Sequence, residues 1–154
     1  MALGMEAGPD RRWEQAAGVL SLIAGGIHGA ITPDHFAEWW GYGVFFVFAT
    51  VTQVLFGLAL LTRAINPEDT GPSWRSIKRA LYWAGIAGNM AIIALYAVTR
   101  TVGIPFFGPE AGEIEPVAAI DVASKVFEVV LIGVLGLLLF RMRGVREESI
   151  PVPA

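Results

Sequence analysis

The chain has 154 residues, of which 55% are hydrophobic, 16% charged and 11% aromatic, and its mean hydropathy is +0.58. A water-soluble domain ordinarily holds about 25% charged and about 45–50% apolar residues, so this composition excludes a disordered chain and argues against an ordinary cytosolic enzyme. A net charge of −3 provides no basic field for a nucleic acid. The absence of cysteine excludes disulfides, thiolate metal sites, cysteine nucleophiles and iron–sulfur clusters.

Four apolar stretches, at about 13–31, 39–62, 80–99 and 116–140, each approach the roughly 20 residues that a helix needs to cross a bilayer. With no water there, each must satisfy its backbone internally as a helix, and no period-two alternation points to a barrel. The expectation is all-α: one domain over 1–154, an up-down transmembrane four-helix bundle with a short tail at 144–154. The first stretch follows Arg11 and Arg12 but contains no small-x-small cleavage site, so it reads as a retained helix rather than a signal peptide.

Lys and Arg placement sets the expected orientation. Arg11 and Arg12, then Arg63, Arg75, Lys78 and Arg79, then Arg141, Arg143 and Arg146 flank one side, whereas the connection 32–38 has no basic residue and the connection 100–115 has only Arg100. Both termini are therefore expected in the cytoplasm. Trp39, Trp40 and Tyr42 at the outer side, with Trp13, Trp74 and Trp83 at the inner, fit two aromatic belts. Gly25 and Gly29 form a GxxxG pair for close helix approach, and Gly85 and Gly88 mark the third span.

The element ends follow from local chemistry. Thr32-Pro33-Asp34 reads as an N-cap, a proline at the first helical position and an acid in the first turn of the second helix. Asn66 to Asp69 and Gly71-Pro72 are turn signals. Glu115-Pro116 opens the fourth helix, and the segment from Ser149 to Ala154 reads as a frayed tail.

Ionisable groups in a bilayer face the bundle interior and find partners. In the fourth span Asp121, Lys125 and Glu128 share one helical face, with Ser124 beside them. At about 1.5 Å per residue Lys125 and Glu128 lie about 13 and 18 Å below Pro116, near the midplane. Gln53 and Asn89 fall at similar depth, so Gln53, Asn89, Lys125 and Glu128 are expected in one layer. His28, Tyr96, Arg100 and Asp121 are expected in a second layer nearer the outer surface, with Arg100 as the partner of Asp121. Asp121, Lys125 and Glu128 together carry an excess negative charge, so one acid is protonated or takes a further cation.

Three uses of these groups remain open. They fix helix pairing, since an unpaired polar group in hydrocarbon is worse than a paired one, or they form a proton or ion pathway through Asp121, Lys125 and Glu128. Alternatively His28, His35 and Glu38 bind a metal, namely zinc, copper or iron, or the histidines hold a haem, although a di-iron bundle needs two Glu-x-x-His helices. The apolar loop 100–109 either folds over the bundle mouth or contacts a partner, and Glu110, Glu113 and Glu115 form an acidic rim. No phosphate loop, G-x-S-x-G or H-E-x-x-H motif is present.

The stretch from His28-Gly29-Ala30-Ile31-Thr32-Pro33-Asp34-His35 through Glu38-Trp39-Trp40-Gly41, the segment from Tyr96 through Arg100-Thr101-Val102-Gly103-Ile104-Pro105 to Gly108-Pro109, and Glu115 with Asp121 to Glu128 resemble a group of small four-span bacterial integral membrane proteins without an assigned activity. The resemblance implies a multi-pass protein of a bacterial plasma membrane and carries over no catalytic residue. Small size, an apolar outer loop and the lack of a catalytic motif point instead to a non-enzymatic accessory or assembly subunit, with the lipid bilayer, other membrane subunits or copies of itself as partners. The alternatives are a metal- or haem-binding redox protein and an ion or proton pathway.

Overall fold

The computed structural model describes residues 9–62 and 72–147. Among them are four helices: α1 (Pro9–Glu38), α2 (Trp40–Leu61), α3 (Pro72–Thr101) and α4 (Ala119–Glu147). Each contains a segment long and apolar enough to cross a membrane. The turn signals between the second and third spans and the tail from Ser149 lie outside the described residues.

Neighbours in sequence run antiparallel. Arg11 near the start of α1 reaches the carbonyls of Leu60 and Leu61 at the end of α2, at 2.8 and 2.7 Å. Those carbonyls belong to the last helical turn, which has no internal donors, so the guanidinium caps α2. Arg141 of α4 meets Asp10 of α1 at the same end. At the other end Arg100 of α3 meets Asp121 of α4.

A repeating stripe explains how the helices associate. In α1 the buried residues Glu14, Ala17, Ser21, Ala24 and His28 recur at alternating spacings of three and four, which keeps them on one face. In α4 the same rhythm gives Ser124, Glu128, Leu131, Leu135 and Leu138. The α1–α2 seam is closer still. A methyl placed on Gly57 would lie 2.8 Å from the Gly18 carbonyl oxygen, and one on Gly25 would lie 3.3 Å from that of Thr50. Gly25 and Gly29 both face α2, as expected of the GxxxG pair. A methyl on Gly85 would meet Phe56 and Leu135, whereas Gly88 faces open space. α1 packs along α2 and α4, and α4 along α3, while α2 and α3 meet through side chains, Gln53 on Asn89 and Phe56 at Gly85.

Two helix boundaries differ from expectation. Pro33 does not begin the second helix; it lies inside α1, which continues to Glu38. Proline removes one backbone donor, yet the helix carries on, and Thr32 Oγ1 donates to the His28 carbonyl in the same turn. The break comes at Trp39 alone, whose extended backbone turns the chain into α2. Its carbonyl then accepts the N–H groups of Tyr42 and Gly43. Methyls on Gly41 and Gly43 would strike the rings of Trp39 and Phe36, so these glycines let both rings fold over the start of α2.

The fourth helix starts at Ala119 rather than at Glu115-Pro116. Glu115 is pinned to α3 instead: its N–H donates to the Thr99 carbonyl at 3.1 Å and its carboxylate pairs with Arg100. Asp121 accepts the Ala118 N–H at 3.3 Å, the reciprocal half of a capping box, which sets the start of α4. At the end of α3, Gly103 at φ +70° takes the left-handed conformation that stops the helix.

Candidate intramembrane site

Glu128 is the centre of the buried polar layer. It is 0% exposed, on the α4 face that runs from Ser124 to Leu131, Leu135 and Leu138, and three side chains from three helices converge on it. Lys125 Nζ lies 2.6 Å from its Oε2, His28 Nε2 lies 2.8 Å from its Oε1, and Gln53 Nε2 lies 3.4 Å from the same oxygen. Gln53 also donates to Asn89 Oδ1 at 3.1 Å, and Asn89 donates to the Gly85 carbonyl at 2.7 Å. Ser21 donates to the Gln53 carbonyl at 2.7 Å. The expected layer of Gln53, Asn89, Lys125 and Glu128 is therefore brought together, and His28 joins it. A buried carboxylate is stable only when its lone pairs are occupied, and these contacts occupy them.

The second expected layer divides. Arg100 Nη2 lies 2.8 Å from Asp121 Oδ2, its other branch pairs with Glu115, and its guanidinium carbon sits 5.0 Å from the Tyr96 ring centroid. Tyr96, Arg100 and Asp121 are thus adjacent as expected. His28 is not among them; it lies with Glu128. Lys125 pairs with Glu128 and also sits over Tyr96, with Nζ 5.6 Å from the centroid, linking the two layers.

The three residues read as metal ligands do not assemble. His35 Nδ1 and Glu38 Oε2 are 2.8 Å apart, and the His35 ring stacks on Phe46 at 3.8 Å. His28 bonds Glu128 instead. Among the described residues no group of three or more His, Asp or Glu is gathered for a metal. His28 and His35 lie on one helix, seven positions apart, with the Phe46 ring against both.

Above the polar layer the helices part. A cavity of about 640 Å³ opens between α1, α2, α3 and α4 and is capped by the 102–118 loop. Phe45, Phe46, Ile92 and Leu95 form apolar walls, His28, Ser124 and Lys125 the floor, and Phe106, Phe107 and Glu110 part of the mouth. The loop does fold over the mouth. Tyr42 donates to the Phe107 carbonyl at 3.1 Å, and Trp39 packs edge-on against the Phe107 ring at 4.9 Å. Below Glu128 the interior is closed by Leu131, Leu135 and Leu138, each at 2% exposure or less.

A second buried cluster lies at the opposite end, on the stripe that also carries His28. Glu14, 4% exposed, accepts from Tyr82 at 2.5 Å and pairs with Lys78 at 2.6 Å and with Arg11 at 3.7 Å. The spacing Glu14–Ala17–Ser21–Ala24–His28 was the available signal for it, because an acid in register with small buried residues has to be paired.

No protein-family model, curated protein or solved structure matches the chain. The functional reading therefore rests on the geometry of these sites.

Proposed function

We propose that this chain is a multi-pass protein of a bacterial plasma membrane, with both termini cytoplasmic, that holds an amphipathic small molecule in the outer half of its bundle. One observation carries the reading: the cavity of about 640 Å³ has apolar walls, a polar floor at His28 and Lys125, and a mouth under the Phe106–Phe107 loop. That size and lining are typical of small-molecule sites. The sealed leucine layer beneath Glu128 favours binding over conduction through a single copy.

The test is equilibrium binding of a neutral apolar fluorophore, N-phenyl-1-naphthylamine, to the protein in lipid nanodiscs. A saturable component above lipid partitioning is expected, and Ile92→Trp, which fills the cavity, removes it. Purely linear partitioning in the unaltered protein overturns the reading.

An accessory role in a larger complex is supported by a separate observation. Phe106 is 85% exposed and Val102 70% exposed at the loop end, apolar side chains outside the helices. Purification in mild detergent tests it: a stoichiometric partner band supports the role, and a stable species containing this chain alone removes it.

A further inference from the structure

The loop between α3 and α4 exposes large apolar side chains: Val102, Phe106, Ile114 and Val117 are each at least 61% exposed. Scattered apolar residues on a surface are ordinary. What distinguishes this loop is the depth at which it is held.

That depth follows from α2. The helix has 22 residues, about 33 Å of length against a hydrocarbon core about 30 Å thick, so its first turn lies at the edge of the hydrocarbon. Tyr42, in that turn, donates to the Phe107 carbonyl, and Trp39, just before it, packs on the Phe107 ring. A methyl on Gly108 would strike the Tyr42 hydroxyl, so the loop backbone rests directly on that side chain. These contacts hold the middle of the loop near the first turn of α2 rather than above it in water. Trp39 also meets Trp40, with ring centroids 5.2 Å apart. Trp40 heads an exposed apolar stripe that continues through Val44, Phe48, Val51, Leu55 and Leu58, the face a spanning α2 turns to lipid. Ring contacts thus run unbroken from the lipid face of α2 to the loop.

Backbone beside hydrocarbon has to find partners within the protein, and this loop supplies them. The N–H groups of Gly103, Gly112, Glu113 and Glu115 donate to the carbonyls of Val98, Ile104, Glu110 and Thr99. Gly103, Gly108 and Gly112 all take positive φ, which allows the chain to turn this tightly. The charges divide as well. Glu115 is paired with Arg100, whereas Glu110 and Glu113 are exposed.

We infer that the 102–118 loop is a membrane-contacting surface lying in the lipid–water boundary, with Val102 and Phe106 against the phospholipid of one leaflet and Glu110 and Glu113 in water. Phe106 and Phe107 also border the cavity, so its mouth lies among the lipid head groups. The inference concerns the loop and stands whether or not the cavity holds a guest.

The test uses the absence of cysteine from the chain. Phe106→Cys, Val102→Cys and Glu110→Cys are each labelled with a nitrobenzoxadiazole fluorophore in phosphatidylcholine nanodiscs. Two quenchers are compared, iodide in the water and a phosphatidylcholine carrying a nitroxide near the head-group end of its acyl chain. The nitroxide lipid is expected to quench the probes at 102 and 106 about threefold or more above the probe at 110, and iodide to do the reverse. The Val102→Cys variant keeps Phe106 in place, so its result does not depend on removing that ring. Nitroxide quenching no stronger at 102 and 106 than at 110, or free access of iodide to either apolar position, places the loop in water and overturns the inference. Shielding of 106 from both quenchers means that protein covers it, a second copy or another subunit, and overturns the inference in favour of the accessory role.

Discussion

His28 Nε2 and Glu128 Oε1 lie 2.8 Å apart across 100 residues of sequence, tying the first helix to the last in the middle of the bundle. This contact, with Lys125 on the other carboxylate oxygen, makes Glu128 a three-way junction. Its removal has a definite consequence. Glu128→Gln leaves Lys125 buried without its counterion, and breaking a buried pair from one side costs about 3–5 kcal/mol. A large fall in the detergent melting temperature is expected, partly restored by adding Lys125→Met. An unchanged melting temperature for Glu128→Gln would show that the junction does not hold the bundle.

The Asp10–Arg141 pair provides the contrast. Its side chains are 64% and 37% exposed, and exposed ion pairs contribute about 0–1 kcal/mol. Arg141→Ala is expected to alter the melting temperature little. A loss as large as that of Glu128→Gln would contradict this ranking of the ion pairs by burial.

Glycine positions separate by what a methyl would strike. At Gly57 it meets backbone, the Gly18 carbonyl oxygen at 2.8 Å, and at Gly88 it meets nothing within 4 Å. Gly57→Ala is expected to force α1 and α2 apart and to destabilise by about 1–3 kcal/mol. Gly88→Ala is expected to be neutral or slightly stabilising. Reversible unfolding in mixed detergent measures both, and the reverse order would contradict the packing.

The loop over the cavity is fastened by Tyr42, whose hydroxyl donates to the Phe107 carbonyl at 3.1 Å. Tyr42→Phe is expected to speed hydrogen exchange at residues 104–112 while the helices keep their protection. Unchanged exchange in the loop would show that Trp39 and Phe107 hold it without the hydroxyl.

Orientation has a direct check because the chain has no cysteine. Ala111→Cys, in the exposed loop, is expected to react with a membrane-impermeant maleimide added to intact cells. Arg12→Cys, near the start of α1, is expected to react only after permeabilisation. The opposite pattern would invert the topology inferred from the Lys and Arg placement.

The helical class and the midplane layer were legible because hydrophobic length and residue counting need no knowledge of facing. Gln53, Asn89, Lys125 and Glu128 were placed by depth alone and do meet. His28 was put too shallow for one reason: Thr32-Pro33-Asp34 carries a strong local signature of a helix start. Counted from a boundary there, His28 lies about 5 Å deep; counted from the true end at Glu38 it lies about 15 Å deep, beside Glu128. Tertiary context overrode the local signal, and that boundary hid His28 as a hydrogen-bond partner of Glu128. The cavity could not be read at all, since it arises where α2 and α3 separate, and no single-helix pattern encodes a gap between two helices.

The one-residue break at Trp39 has a mechanical corollary. With Arg11 fastening the far end of the same hairpin to Leu60 and Leu61, α1 and α2 are clamped at both extremities, by a covalent elbow and a charged latch. Sliding or twisting either one drags its companion along. Any breathing that admits a guest molecule therefore falls to α3, which meets that rigid pair through side chains such as Tyr82, Lys78 and Asn89 rather than by close backbone packing.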